Sequence, residues 1–545
     1  MSPYLPVASL SNRTTIILLE ELKKELEEVK HEFVGLKRLG FNIVRLLVMW
    51  KAIEPIPNPN LDQLLPEGQH YLNLVKEIID ALYSYGFFVI IDFHQDIAHE
   101  IYGGDGFPDW ALAIDETHRR PPQSDLKDKS WAGAYYLNRL VRHTLQSFWR
   151  NHLTNIEFGL KAYPVRTHLE KTIGQTVKFF KELNGGQGHP AILGFELFNE
   201  PHQVTIDKKT FEEYFLREFY TNVLSEIKKF NNKVFVFIEP RVDWNIYSPL
   251  DIIESHLDWS NYHPSDVNLE LQLGFIHDPS QIKSWIPTDS DFLDQFKSQG
   301  VFSFHHYDPW TLIYSFFNTA DNMYNKQTEW PSIFYQFRHA AILRGLVPFL
   351  TEFGGSQDWE YLKTNLEPYS IYHGKQIRAY MNLQFIQIEK YLLNAIYWNY
   401  DLYNTDEGKD NWNLENFSLL GPSRTPRNID IVARPYPLRS SAEPRLLFFD
   451  LETKYCVIIL QAPVVEAPTI IYVPYDIHYL PNFNVWSTSS SIDWDKNNQF
   501  LYWYPDSSKE LNQIIIGPVQ NLATYVLPEE SRRLLAKTTF IGKFD

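Results

Sequence analysis

Two glutamates stand where buried strands should end. Residues 191–201 read AILGFELFNEP, an apolar and β-branched run long enough for one strand that stops abruptly at Asn199, Glu200 and Pro201. Residues 347–355, VPFLTEFGG, repeat the design and deliver Glu352 just ahead of a Gly-Gly pair. In a sheet walled by helices, ligands bind beyond the carboxyl ends of the parallel strands, so a carboxyl group delivered there is placed for chemistry rather than for solubility. Two such groups on different strands suit cleavage of a glycosidic bond with retention: one protonates the leaving oxygen while the other attacks the anomeric carbon. A Glu before Pro by itself is more simply a strand terminus or a helix cap, and the chemistry rests on the two together.

Other polar strand ends accompany them. Runs with strand character end in DFHQD (92–96), FNEP (198–201), FHHYDP (304–309), TEFGG (351–355) and YWNYD (397–401). In order and spacing this set resembles glycoside hydrolase family 5, part of clan A of the (β/α)8 retaining enzymes. HQD followed by GGDGFPDWAL (103–112), the double histidine of FHHY, and RPYP (434–437) at the head of a β-rich region narrow the resemblance to the endoglycoceramidase and glycosylceramidase-like branch.

The resemblance covers nearly the whole chain and implies double displacement, with Glu352 as nucleophile and Glu200 as acid and then base. It implies that Arg45 lies beneath the nucleophile and holds it ionised, and that Asp92 and His94 belong to the sugar subsite with Gln95 and Asp96 as rim or support. It also implies that Asn199 holds the sugar 2-hydroxyl, that His305 and Tyr307 are the His-x-Tyr pair beside the nucleophile, and that the ring rests on Trp398. A structural ion pair for Arg45, and ordinary core positions for His94 and Trp398, are the plainer alternatives. Glu239, which ends KVFVFIEP (233–240), matches the family's fifth strand and is read as supporting or structural.

The elements that must deliver these residues alternate, and strand, helix, strand implies parallel pairing. Strands are expected at 41–50, 87–96, 191–200, 233–239, 301–308, 347–353 and 393–400, with helices at about 15–39, 69–86, 135–150, 166–184, 207–230, 329–345 and 371–393. That is an α/β chain with seven of the eight strands of a (β/α)8 TIM barrel. The family's first strand runs into a Pro-Tyr-x-Pro-like turn matched by Pro3, Tyr4, Leu5 and Pro6, so the first strand is expected to be missing or truncated and a sheet edge open.

From about residue 430, short β-branched and aromatic runs (LLFFDL, YCVIIL, TIIYVP, FLYWYP, QIIIG) punctuated by Pro, Asn, Asp and Ser fit a C-terminal antiparallel β-sandwich. The expected division is 1–428 for the barrel and 429–545 for the sandwich. The loop 97–134 is a candidate for substrate contact or a lid, and the aromatic insertion 241–300, with Trp244, Tyr247, Trp259, Tyr262 and Trp285, fits either an apolar aglycone or domain packing. Trp110 and Trp131 are candidate stacking platforms or, alternatively, pins for the loop, and Trp412 is placed at the rim.

Composition agrees. A chain of 545 residues suits a barrel of roughly 250–400 residues plus a smaller partner. A net charge of −17 speaks against nucleic acid and against general electrostatic attachment to anionic membranes. The 15% aromatic content supplies flat apolar faces for a sugar cleft or lipid pocket, and one cysteine, Cys456, excludes an intramolecular disulfide. No His/Cys cluster has metal-ligand spacing and no nucleotide cradle is present, so neither cofactor nor metal is expected. No signal peptide or membrane span is read, and the expectation is a cytoplasmic monomer acting on a small-molecule or lipid-linked glycoside, with transient contact at a membrane surface. The substrate class implied is a glycosylceramide or steryl glucoside; a soluble β-glucan endohydrolase and a non-catalytic glycan or glycolipid binder are the alternatives.

Overall fold

The computed structural model of the protein describes residues 26–27, 30–112, 134–151, 164–242, 290–307, 323–358, 376–410, 415–518, 522 and 526–545. All seven expected barrel strands form: β1 Ile43–Met49, β2 Phe88–His94, β3 Ile192–Glu196, β4 Phe235–Ile238, β5 Gly300–His306, β6 Val347–Gly354 and β7 Asn394–Trp398. They pair in chain order, each parallel to the next. β1 and β7 return into contact, so the sheet is a nearly closed barrel. Among the described residues no eighth strand lies between them.

The expected helices are present with shifted ends. They include Pro66–Ser84, Arg139–Trp149, Val165–Gly186, Arg217–Phe230, Met323–Leu343 and Gln376–Lys390. The helix expected from 135 begins instead as a single turn, Ala134–Leu137, and restarts at Asn138, whose side chain accepts from the amides of Leu140 and Val141. Of the charged helix expected at 15–39, residues 26–27 and 30–38 are helical within the described part, and Phe33 and Leu36 are buried.

The barrel interior is built in layers, because side chains alternate along a strand and every second residue points inward. Ile43, Ile90, Phe237, Val301, Phe349 and Ile396 form an apolar plug with Leu193. In β3 the inward position is Gly194, where a Cβ would lie 2.7 Å from the Phe237 ring, so the larger ring fills the space. Two residues further along each strand come Arg45, Asp92, Glu196, Glu239, Ser303, Thr351 and Trp398. The plug is apolar and the layer above it is almost wholly polar. That change of character is the floor of the site.

The C-terminal strands form two antiparallel sheets, as the alternating runs predict. One orders β16 (Thr539–Phe544), β12 (Phe483–Ser487), β15 (Leu511–Gly517), β10 (Cys456–Gln461) and β9 (Glu443–Phe449); the other orders β13 (Ile492–Asp495), β14 (Phe500–Trp503), β11 (Thr469–Tyr472) and β8 (Tyr436–Arg439). β10 is buried on both faces. Cys456, Ile458 and Leu460 join the main core, whereas Val457 and Ile459 pack with Leu527 and Leu534 near the end of the chain. The division expected at 428/429 falls at the start of the short helix Ile429–Val432, ahead of β8.

One arginine pins these sheets to the barrel. Arg434, from the RPYP motif, is ion-paired with Glu389 of the helix Gln376–Lys390, donates to Asn382 Oδ1 at 2.9 Å and to the Phe449 carbonyl at 3.2 Å, and lies over the Phe449 ring. Burial pushes the Glu389 carboxyl up while Arg434 opposes it, so removing the arginine strands a buried acid. Arg434→Met is expected to cost about 3–5 kcal/mol, and the double change Arg434→Met with Glu389→Leu to recover most of that. Chemical-denaturation midpoints of the three proteins check the difference.

Candidate active site

Arg45 is the centre of the polar layer. It is 7% exposed, and its guanidinium meets acidic groups from four other strands or the loops that follow them. Nε lies 2.5 Å from Glu196 Oε2, Nη1 2.9 Å from Glu352 Oε2, and Nη2 3.1 Å from Asp92 Oδ2 and 3.8 Å from Glu239 Oε1. Nη2 also donates to Asn199 Oδ1 at 2.8 Å. Burial alone would weaken its hold on the proton, but the surrounding carboxylates raise its pKa well above the ordinary value. Ser303 binds the other oxygen of Glu196 and also meets Thr351.

Glu352 reaches this layer through an irregularity. In a regular strand Thr351 and Glu352 would face opposite sides. Against β5, the pairing steps from Phe304–Leu350 to His305–Glu352, and against β7 from Leu350–Ala395 to Phe353–Tyr397, so β6 carries one extra residue at that point. This bulge turns both side chains inward, and Phe353 returns to the outer core. Glu352 then receives Arg45 on one oxygen and the Tyr307 hydroxyl on the other, at 2.7 Å.

Glu200 follows β3 and faces Glu352. One oxygen of each, together with a ring nitrogen of His305, lie within 4.8 Å of one another. His305 Nδ1 is 2.9 Å from Glu200 and 3.8 Å from Glu352. Glu200 has a φ of 48°, a left-handed conformation that non-glycine residues seldom adopt, and its amide donates to Glu239 Oε2 at 3.1 Å. Glu239 therefore fixes the backbone that carries Glu200, and its other oxygen lies 3.6 Å from His305 Nε2.

The two acids are not electrostatically equal. Burial raises both. For Glu352 this is opposed by Arg45, by His94 and by the Tyr307 hydroxyl, which leaves it at about 7. For Glu200 the charges of Glu352 and Asp96 add to burial, and His94 and Arg45 pull back only afterwards, so it is held well above the usual carboxylate range. When one proton is shared between them, Glu200 is its place.

The remaining sequence-predicted residues gather around this pair. Asp92 is fully buried between Arg45 and His94, whose Nδ1 is 2.6 Å away, so it lies behind His94. Asp92 and Asp96 raise the His94 pKa well above normal against the effect of burial. The His94 and Trp398 rings are parallel, with centroids 6.0 Å apart. Gln95 and Asn199 clamp each other: Gln95 Nε2 donates to the Asn199 carbonyl at 2.9 Å and Asn199 Nδ2 to the Gln95 carbonyl at 3.1 Å. His306 packs against Trp330 and Phe334, away from the site.

The GGDG segment closes tightly on the end of β2. Asp96 and Asp105 bridge through their backbones, and at Gly106, φ 111°, a Cβ would sit 2.6 Å from the Gln95 Cβ and 2.8 Å from the His94 carbonyl. Trp110, a candidate platform in sequence, is instead core: its indole donates to the Glu54 carbonyl and packs edge-on against Trp50. Trp131, Trp412 and the aromatic insertion residues Trp244, Tyr247, Trp259, Tyr262 and Trp285 lie outside the described residues.

Sequence reasoning passed over Glu196, Ser303, Thr351 and Glu415. Glu196 was legible as a lone charge inside AILGFE; Ser303 and Thr351 carry no such signal. Glu415, just past the Trp in DNWNLEN, accepts from the Trp398 indole at 2.9 Å. Among the described residues, His94/Asp96/Asp105, Glu196/Glu239/His305 and Glu200/His305/Glu352 each bring three donor atoms close enough for a metal ion. The last two sets are already bound to Arg45 and Tyr307.

Known proteins show the same architecture. Endo-glycoceramidase II from a Rhodococcus species, solved as a ganglioside GM3 complex, superposes over 89% of this chain and 91% of that chain with a TM-score of 0.60 at 17% identity. Sterylglucosidase 1 of Cryptococcus neoformans, solved with tris, covers 90% of this chain and 88% of that one with a TM-score of 0.65 at 14% identity. In sequence, endoglycoceramidase I of Rhodococcus hoagii (strain 103S) is 26% identical over 223 residues, 40% of this chain and 39% of the relative. A glucosylceramidase of Rhizopus delemar is 26% identical over 192 residues, 32% of this chain and 27% of the relative. The chain thus spans less than half the length of these sequence relatives. The family description Cellulase (glycosyl hydrolase family 5) matches residues 24–403, well over half of the sequence, and the chain belongs to that family.

Proposed function

We propose that the protein is a retaining β-glycosidase that cleaves the sugar from a glycolipid-like β-glycoside, a glycosylceramide or steryl glucoside, by double displacement. The observation that carries this is the approach of Glu200 and Glu352 to within 4.8 Å, oxygen to oxygen. Retaining enzymes hold their carboxyl groups roughly 5–5.5 Å apart, and inverting ones keep roughly 6.5–9.5 Å for an intervening water.

Glu352 in its ionised form, which Arg45 and the Tyr307 hydroxyl favour, attacks the anomeric carbon. Glu200 protonates the departing oxygen, and once Glu352 is esterified its charge no longer raises the Glu200 pKa. Glu200 then takes a proton from water, and the resulting hydroxide equivalent releases the sugar. Asn199, whose side chain accepts from Arg45 and donates to the Gln95 carbonyl, takes the 2-hydroxyl, and Trp398 offers an apolar face to the ring. The glycolipid aglycone is supported by the names of the relatives and by the HQD and GGDGFPDW motifs; the soluble β-glucan reading is the rival within the family.

Glu352→Gln is expected to lower kcat by about 10⁴-fold or more on every glycoside. Glu200→Gln is expected to lose about 10²–10⁴-fold on natural substrates and far less on aryl glycosides with good leaving groups. Normal turnover by Glu352→Gln would sink the assignment. The acid limb of kcat/KM should fall near pH 7, since activity needs Glu352 ionised and that group sits at about 7. Because the Tyr307 hydroxyl favours the ionised form, Tyr307→Phe should raise the Glu352 pKa and move that limb to higher pH; a pH–rate profile of both proteins checks the sign. Sugar release from glucosylceramide or a steryl glucoside, with none from carboxymethylcellulose, is the expected substrate result, and the reverse selects the β-glucan reading.

A further inference from the structure

We propose that Glu415 is a specificity-determining residue whose carboxyl takes hydroxyl groups of the sugar seated on Trp398; this rests on the glycosidase reading above. The Trp398 indole N–H points along the plane of its ring, so the Glu415 oxygen that accepts it at 2.9 Å lies beside the edge of the platform. A pyranose laid on an indole face presents its hydroxyls around that perimeter. The second carboxyl oxygen of Glu415 has no donor among the described residues, and the side chain is half-buried rather than sealed.

Its position is fixed from behind. The Glu415 carbonyl accepts from the Asp410 amide at 3.0 Å, and Asp410 in turn accepts from the Phe417 amide at 2.6 Å. The neighbouring Asn416 donates to Asp358 at 2.7 Å and accepts from Arg427 at 2.8 Å. The group also feels the charges around the paired glutamates: burial raises its pKa, the Trp398 bond draws it down, and the charges of Asp96 and Glu352 push it up. A residue serving only to orient the indole would use one oxygen. Glu415 offers a second, beside the edge of the platform.

The test pairs the residue with the hydroxyls. Values of kcat/KM are measured for 4-nitrophenyl β-D-glucoside and its 3-, 4- and 6-deoxy forms with wild type, Glu415→Ala and Glu415→Gln. In wild type, loss of a hydroxyl bound by Glu415 should cost about ten- to hundredfold. In Glu415→Ala the same deletion should cost about threefold or less at that position, since residue and hydroxyl no longer count separately. Glu415→Gln, which keeps an acceptor for the indole, should fall between them. Equal deoxy penalties in wild type and Glu415→Ala at all three positions overturn the proposal and leave Glu415 as a prop for Trp398. Calorimetric affinities of methyl β-D-glucoside and its deoxy forms for Glu352→Gln, with and without Glu415→Ala, make the same comparison without turnover. Binding with this pattern but no wild-type hydrolysis sinks the glycosidase reading alone; no binding and no hydrolysis overturn both.

Discussion

A single dehydrated arginine organises the barrel. Moving a guanidinium out of water costs several kcal/mol unless it is paired and its donors are satisfied, and a partly satisfied pairing is worse than none. Arg45 of β1 meets this demand by drawing acids or their loops from β2, β3, β4 and β6 to one point. Each partner needs the charge as much as Arg45 needs the partner, since Asp92, Glu196 and Glu239 are fully buried. The ion cluster therefore constrains strand register in a way that the apolar plug beneath it, which tolerates any well-filling side chain, does not. The placement of Glu352 follows from the same constraint.

Much of this was legible in the sequence, for reasons specific to each residue. A parallel strand covered on both faces reads as a continuous apolar run, so FNIVRLLVMW, FFVIIDFHQD and AILGFELFNEP announce themselves, and Arg45 is visible as one charge in such a run. What the period of two could not reveal is its own interruption. The extra residue in β6 lets Thr351 and Glu352 share a face, and nothing in the letters VPFLTEFGG marks it; the demand comes from Arg45 and Ser303 on neighbouring strands. Glu415 stayed hidden for a related reason. It lies beyond the last barrel strand, in a polar loop whose composition resembles any solvated connection.

The C-terminal sheets obey different physics. β10 is apolar from Cys456 to Leu460 because one of its faces joins the main core and Leu527 and Leu534 pack with the other. Arg434 joins the two regions by the device used at Arg45, a guanidinium shared between a carboxylate, an amide oxygen and a backbone carbonyl. Here, however, one acid answers one base among the described residues. The barrel centre instead gathers more acids than its cations can neutralise.

That excess is what makes two chemically identical side chains electrostatically unequal. Burial raises Glu200, Glu239 and Glu352 alike, so burial cannot distinguish one from another. Neighbours can. Glu352 holds the Arg45 guanidinium and a phenolic donor, which favour its anion, while Glu200 faces that anion across less than 5 Å and is discouraged from forming a second. Glu239, itself raised by Glu196 and only partly relieved by Arg45, secures the left-handed backbone at Glu200 through the Glu200 amide, so the acid is held where the repulsion acts. The asymmetry between the two carboxyl groups is thus set by which of them holds the arginine: Glu352 does, and Glu200 meets His305 instead.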